Sequence, residues 1–374
     1  MPFLQANLVE EDGRVSGAEI RNESNFQVLS GLCEGTRVHL RKNLDPERRH
    51  APTVASLDAS DLGRLPALVE VQKPDFVLFE GVALLDAMRE VRRRFPDLPL
   101  IVDFHNVEGG LYRDVRMARF PRPARPLAGL VFAHRIRQAR DADREAMRLA
   151  DAVWTCSAQD AEVVRAAGMA RSVHVVPNPI PDWCRTVEPE TVERQGRTVL
   201  FVGHLGYAPN RRAIDELTSS IMPDLRRRFP DAGLHVCGRA PRTKLVRSLG
   251  ERGHRLTADP PDLLPHYRDA AAAAMPLRQG GGTRIKVLEA LAVGCPVVAT
   301  AKAVEGLAIE DGRHFLRAET AAEFVAALSR LFEDPEIARR LAAEGRGFVH
   351  RNHGDAARSD AIRAALAAIG LARP

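Results

Sequence analysis

Short, almost continuously apolar runs alternate with segments of helical length and period along most of the chain. That alternation restricts the fold more than any other feature. In the first half the runs are PFLQANLV, TRVHLR, DFVLFEG, LPLIVDFHN, DAVWTCS and VHVVPN; in the second they are RTVLFVG, GLHVCG, AAAAMPL and PVVAT. Between them lie helical patterns such as Leu84 to Phe95 and Ile214 to Leu225. In the latter, Ile214, Leu217, Ile221 and Leu225 recur at spacings of three and four, the stripe of a helix packed on a sheet. Pro223 interrupts this stripe and is expected to bend or shorten the helix. Strand, crossover helix and strand in repetition specify parallel sheets with helices on both faces. The expected class is α/β, doubly wound.

At 374 residues, two domains are the natural division. The most polar, proline-containing break runs from about Ile180 to Arg197. It sets an N-terminal domain at 1–185 and a C-terminal domain at 186–354. The remainder, 355–374, contains DAARSDAIRAALAAIG and reads as one amphipathic helix, whose pattern leaves open whether it packs on the first domain.

Lys and Arg number 54 against 49 Asp and Glu, a net charge of +5 that fits a mixed, solvated surface. That balance disfavours nucleic acid as a partner and is compatible with an anionic ligand or membrane. The densest charge, Arg113 to Arg148, has ten arginines against four acids. It reads either as a solvated helix face or as a surface for an anionic acceptor or lipid, the basis for expecting peripheral membrane association. Five scattered cysteines without a C-x-x-C pair suit reduced thiols better than disulfides or a zinc site. The opening residues lack the pattern of a signal peptide, and no apolar run is long enough to span a bilayer, so a cytoplasmic location is expected, including the inner face of the membrane.

The chemistry concentrates in RQGGGTRIKVLEALAVGCPVVAT, from Arg278 to Thr300. Gly280, Gly281 and Gly282 stand between a strand and a helix expected over Thr283 to Val293. Glycines there let phosphates approach the backbone, and the amides of the first helical turn point at them. Thr283 is placed to cap the helix or to bond an oxygen. Arg284 and Lys286 oppose the helix dipole and call for a compensating anion, such as a diphosphate. Glu289 borders the apolar stripe and needs a partner. Two readings stand: it holds the vicinal hydroxyls of a ribose, or it pairs with Lys286 on the surface.

This segment resembles the donor-binding region of GT-B glycosyltransferases of the glycosyltransferase family 4 type. FVGHLGYAPN (Phe201 to Asn210), ADAVWTCSAQDAE, VVPNPIP, DFHNVE (Asp103 to Glu108) and SGAEIRN (Ser16 to Asn22) resemble further segments of that family in the expected order. The resemblance implies two doubly wound Rossmann-like domains facing each other across a cleft. It implies a nucleotide-diphosphate sugar on the C-terminal domain, a hydroxyl acceptor on the N-terminal one, and transfer with retention, without a metal or other cofactor. Glu289 matches the second glutamate of the family's E-x7-E pattern; the first falls at Gly281 and is absent here. His204 stands where many members carry an arginine, and Asn210 and Arg211 lie near their usual lysine.

The resulting site assigns catalysis to His105, Lys286 and Glu289. Donor binding falls to Gly17, Gly203, His204, Asn210, Arg239, Gly280, Gly281, Gly282, Thr283 and Arg284. His105 would bond the transferring sugar and steady positive charge at its anomeric carbon through its carbonyl, with Asn106 and Glu108 orienting it or the acceptor; a structural histidine and a plain turn at Gly17 remain the plainer alternatives. No D-x-D flanked by an apolar strand is present, and no carboxylate pair stands out as a glycosidase acid and nucleophile. The competing functions are a sugar-nucleotide epimerase, a phosphorylase, or a non-catalytic sugar-nucleotide-binding protein.

Overall fold

The computed structural model describes residues 1–8, 16–43, 51–185, 187 and 196–371. These form two compact units. The first comprises residues up to Pro179, with Gly281–Thr283 and the chain from Asp355 onward. The second comprises Ile180–Gly280 and Arg284–Gly354. The change-over at Pro179/Ile180 precedes the expected 185/186, and part of the expected break lies outside the described residues.

Six parallel strands build the sheet of the first unit: β1 (Pro2–Leu8), β2 (Glu34–Leu40), β3 (Phe76–Glu80), β4 (Leu100–Phe104), β5 (Ala152–Thr155) and β6 (Val173–Val175). Their order is β2-β1-β3-β4-β5-β6. Successive residues serve opposite faces: Val77 and Phe79 pack with Leu4, Val102 and Met88, while Phe76 and Leu78 pack with Phe3, Ile101 and Trp154. Burial on both faces is why these strands read as unbroken apolar runs.

The C-terminal helix, Asp355–Ala367, lays Ile362, Ala365 and Leu366 on the second of those faces. Its Arg358 is fully buried. It donates to Ser24 Oγ at 3.1 Å, to Asn25 Oδ1 at 2.7 Å, and to the Pro177 carbonyl. The tail is thus an integral layer of the first unit.

The second unit has β7 (Thr198–His204), β8 (Gly233–Arg239), β9 (Arg255–Ala258), β10 (Ala272–Met275), β11 (Val297–Ala299) and β12 (Leu316–Arg317). They run parallel in the order β12-β11-β10-β7-β8-β9. The apolar runs missed the two edge strands, which are short and partly exposed. The expected helix at Ile214–Leu225 is instead a continuous Ala208–Arg228 element with a wide π-type turn at Leu217–Ile221. Met222 N–H reaches back to the Leu217 carbonyl, so Pro223, which has no N–H, is accommodated just after a widened turn. The stripe Ile214, Leu217, Ile221 and Leu225 is buried as its spacing requires.

Among the described residues, no helix is long and apolar enough to cross a membrane.

Candidate functional site

In the second unit the strand order changes direction between β7 and β10. Ligands of open α/β sheets bind at the carboxyl ends of strands at such a switch point. β7 ends on Gly203 and His204, and β10 leads into the glycine segment. A side chain at Gly203 would place its Cβ 2.5 Å from Lys286 Nζ and 2.8 Å from Asn210 Nδ2. Glycine is needed there so that both polar groups can lie over the strand end.

Asn210, in the first turn of the helix that starts at Ala208, donates to the His204 carbonyl at 2.9 Å. Its oxygen accepts from Lys286 Nζ at 2.9 Å. The ammonium also sits 4.6 Å from the centroid of the Phe201 ring. Burial pushes the Lys286 pKa down to about 7; Arg284 adds to that, and Glu289 opposes it. His204 is exposed at the strand end and stands in register with Arg239, which is half-buried at the end of β8.

Glu289 is only 7% exposed. The fully buried Tyr267 donates to its Oε2 at 3.0 Å and stacks on Trp183 with ring centroids 6.0 Å apart. Burial raises the Glu289 pKa against the smaller pull of Tyr267 and Lys286. A surface pair between Lys286 and Glu289 is thereby ruled out. Nothing in the spacing of LLPHYRD marks Tyr267 as a partner of Glu289, and sequence reasoning missed it.

The helix itself runs from Ile285 to Ala292, shorter than expected. Its N-cap is Arg284, without a side-chain cap, so Thr283 does not cap it. Thr283 Oγ1 instead accepts from Asn178 Nδ2 at 2.5 Å within the first unit. Arg284 donates to the Lys302 carbonyl at 3.3 Å and packs beside Gly280. Gly280 and Gly282 adopt φ of +126° and +62°, which side chains rarely tolerate. Gly281 does not; there, as at Gly282, an added Cβ would press on Asn106 Oδ1 at 2.8 Å.

In the first unit, His105 Nε2 lies 3.2 Å from Glu80 Oε2 and 3.6 Å from Asp103 Oδ2. Arg21 grips Asp103 with two bonds of 2.6 and 2.7 Å and donates to Asn178 Oδ1 at 2.9 Å. Asn25 links Asp103 and Glu80, and Gln5 donates to Glu80. Burial pushes Asp103 up, yet Arg21 prevails and holds it below the usual carboxylate value. Burial raises Glu80. For His105 burial acts downward, but Glu80 and Asp103 outweigh it and raise its pKa. Only His105 of this network was singled out from the sequence. Asn106 donates to Glu108 at 3.3 Å. Gly17 is the exposed first residue of the Gly17–Ser30 helix, next to the Ser16 cap, which is paired with Glu19 in a capping box.

Residues 196–334 match the model of a family described as Glycosyl transferases group 1. Over 98% of this chain and 100% of that one, the fold resembles HepE from Anabaena, solved with UDP-glucose, at 14% identity and a TM-score of 0.67. The sucrose-phosphate synthase of Thermosynechococcus elongatus is 17% identical over 98% of this chain and 99% of that one, also with a TM-score of 0.67. TarM from S. aureus, solved in complex with UDP among other ligands, is 10% identical with a TM-score of 0.62. There the match covers 83% of this chain but only 59% of the relative. No curated protein sequence matches.

The fold is GT-B. Gly203, Asn210, Tyr267, Lys286 and Glu289 all fall inside the matched segment, whereas His105 and its carboxylates fall outside it. The GT-B resemblance therefore rests on family sequence in the second unit and on fold alone in the first.

Proposed function

We propose that this GT-B protein is a glycosyltransferase that moves a sugar from a nucleotide-diphosphate sugar to a hydroxyl acceptor, with retention and without a metal. The observation that carries this reading is the pairing, on one short helix at a switch point, of a half-buried cation with a buried carboxylate. Lys286 sits over the end of β7 with Asn210, and Glu289 is held by Tyr267 one turn on. The cation suits a diphosphate and the carboxylate a pair of ribose hydroxyls.

As the glycosidic bond breaks, negative charge grows on the leaving phosphate. Lys286 opposes that charge, the role a divalent ion plays elsewhere. A nucleotide diphosphate restores the proton that burial loosens, so the lysine is charged when it is needed. The departing phosphate oxygen takes the acceptor proton on the same face, as the resemblance implies. His105, held by Glu80 and Asp103, is assigned to the sugar and the acceptor hydroxyl to the first unit. Gly281, in place of the family's first glutamate, leaves sugar hydroxyls to backbone groups. Gly17, Gly280, Gly282, Thr283, Arg284, His204 and Arg239 stay assigned to the donor. Exposed Leu127, Leu130 and Val131, on a helix with exposed Arg125, Arg135, Arg137 and Arg140, support docking on an anionic membrane.

Calorimetric titration of UDP and UDP-glucose tests the donor reading, uridine being chosen because HepE and TarM were solved with it. Binding by the wild type and its weakening by about ten- to a hundredfold in Glu289→Gln are expected. Failure of every nucleoside diphosphate to bind at millimolar concentration would sink the proposal. The absent first glutamate favours a second reading, donor binding without transfer; slow release of nucleoside diphosphate from donor alone would exclude it.

A further inference from the structure

Within the second unit, β8 carries a histidine and a cysteine two residues apart, so both project from one face of the sheet. They are His235 and Cys237, and each is buried. Thr257 faces Cys237 in register on β9, with its hydroxyl 2.9 Å from His235 Nε2. His266, on the short helix Leu264–Asp269, brings its ring edge-on to His235 with centroids 4.9 Å apart. Cys237 Sγ lies 3.1 Å from His235 Nε2. One donor atom each from His235, Cys237 and His266 falls within 4.8 Å of the others.

We propose that His235, Cys237 and His266 form a zinc site that fastens the β8–β9 edge to the Leu264–Asp269 helix. This goes beyond the transferase reading and does not depend on it. Zinc bound tetrahedrally at ~2.0–2.1 Å to nitrogen and ~2.3 Å to sulfur sets neighbouring donors roughly 3.3–3.7 Å apart. The three donor atoms, within 4.8 Å of one another, therefore have to draw together to close on the ion. Independent support comes from His266, whose Nδ1 is buried without a hydrogen-bond partner. Buried polar atoms of native proteins rarely go unpaired, and an orphan ring nitrogen beside a histidine and a thiol asks for an explanation.

Neutral imidazole and thiolate are the forms that bind a metal. Asp262 and Asp269 act on His266 with negative charge, while Arg255 acts on both rings with the opposite sign. Zinc replaces the Cys237 proton, which leaves to solvent, so the thiolate neutralises one of the two charges that enter.

The test uses the full chain, stripped with a chelator and titrated with Co(II), then with Zn(II). A single equivalent of Co(II) is expected to give tetrahedral visible absorption together with a thiolate-to-metal charge-transfer band, and zinc to bleach both. Zinc should also raise the melting temperature of the stripped protein by mass action. Cys237→Ser should abolish the charge-transfer band, whereas Cys295→Ser, buried elsewhere in the same unit, should keep it. His266→Ala is the second variant should Cys237→Ser not fold; its ring is only partly buried, and its loss should shift the visible spectrum. Cobalt binding without a thiolate band, a band that survives Cys237→Ser, or no stoichiometric uptake would each overturn the proposal.

Discussion

Lys286 and Asn210 are joined by a 2.9 Å hydrogen bond from Nζ to Oδ1, and the same amide donates to the His204 carbonyl at 2.9 Å. The lysine is thus positioned before any ligand arrives, at the cost of a pKa pushed down to about 7. A nucleotide sugar carries no phosphate ionisation near neutrality, so proton uptake on binding reports the lysine. UDP-glucose affinity should fall as pH rises above about 7, approaching about tenfold per pH unit for one proton. Lys286→Met should bind weakly and lose this slope. The ligand-free chain should behave oppositely. Unfolded lysine keeps its proton to about 10.5, so between about 7 and 10.5 the folded state binds fewer protons and gains stability as pH rises. Calorimetry across pH in buffers of different ionisation enthalpy measures the uptake, and urea midpoints measure the stability.

Glu289 and Tyr267 make the second prediction. Glu289→Gln keeps the shape but removes the charge offered to the ribose. A hydrogen bond to a charged group contributes ~1.5–3 kcal/mol, so donor affinity should drop about ten- to a hundredfold. Tyr267→Phe touches no ligand in this reading and acts by freeing Glu289 Oε2. Its donor affinity should fall by less than that of Glu289→Gln, while its melting temperature falls with the lost buried bond. An unchanged affinity in both variants would remove Glu289 from the site.

Two glycines at neighbouring strand ends separate binding from folding. An added methyl at Gly203 meets Lys286 Nζ and Asn210 Nδ2, which are movable side-chain groups. Gly203→Ala should therefore fold, lose the Lys286–Asn210 arrangement and bind donor weakly. Gly238 has φ of +154°, and its Cβ would overlap the backbone oxygen of Gly203. Gly238→Ala should cost ~3 kcal/mol or more of stability, because backbone and not side chain must shift. Thermal melts beside donor titrations distinguish the two.

The buried Arg21–Asp103 pair predicts an acid limit to stability. Asp103→Asn leaves Arg21 uncompensated, and breaking such a pair typically costs ~3–5 kcal/mol. Arg21 holds the Asp103 pKa below its ordinary 3.8. The contribution is therefore fully present above about pH 3.8 and is lost as pH falls through the lower folded value. Urea unfolding between neutral pH and pH 3 should show a loss in the wild type that is much smaller in Asp103→Asn.

What could be read from the chain follows from where partners lie in it. Strands such as DFVLFEG and RTVLFVG announce themselves because burial on both faces demands continuous apolar residues, whereas RLTA at the sheet edge makes no such demand. Lys286, Glu289 and the glycines are close in sequence, so helical geometry alone sets the two side chains a turn apart. Their partners are not close. Tyr267 is 22 residues from Glu289, and Arg21 is 82 residues from Asp103. Only the crossover connections bring these together, and no local spacing encodes them. Thr283 shows the converse: a residue type suited to a cap was drawn off by Asn178 from a distant part of the chain.

The Arg125–Leu149 helix carries the last prediction. Leu127, Leu130 and Val131 are 68%, 75% and 71% exposed, at a spacing that sets them on one side of the helix. Water-facing leucines in such a group are costly unless something covers them. The exposed arginines of the same helix favour a negatively charged cover, and each basic residue near an anionic surface contributes about 1 kcal/mol. The full chain should sediment with vesicles containing phosphatidylglycerol and not with phosphatidylcholine alone. Salt should weaken the binding, and Leu130→Ser with Val131→Ser should reduce it further without changing the melting temperature or UDP-glucose affinity. Equal binding to both vesicle types would count against electrostatic docking. Undiminished binding by the double variant would show that this side of the helix is not the one that meets lipid.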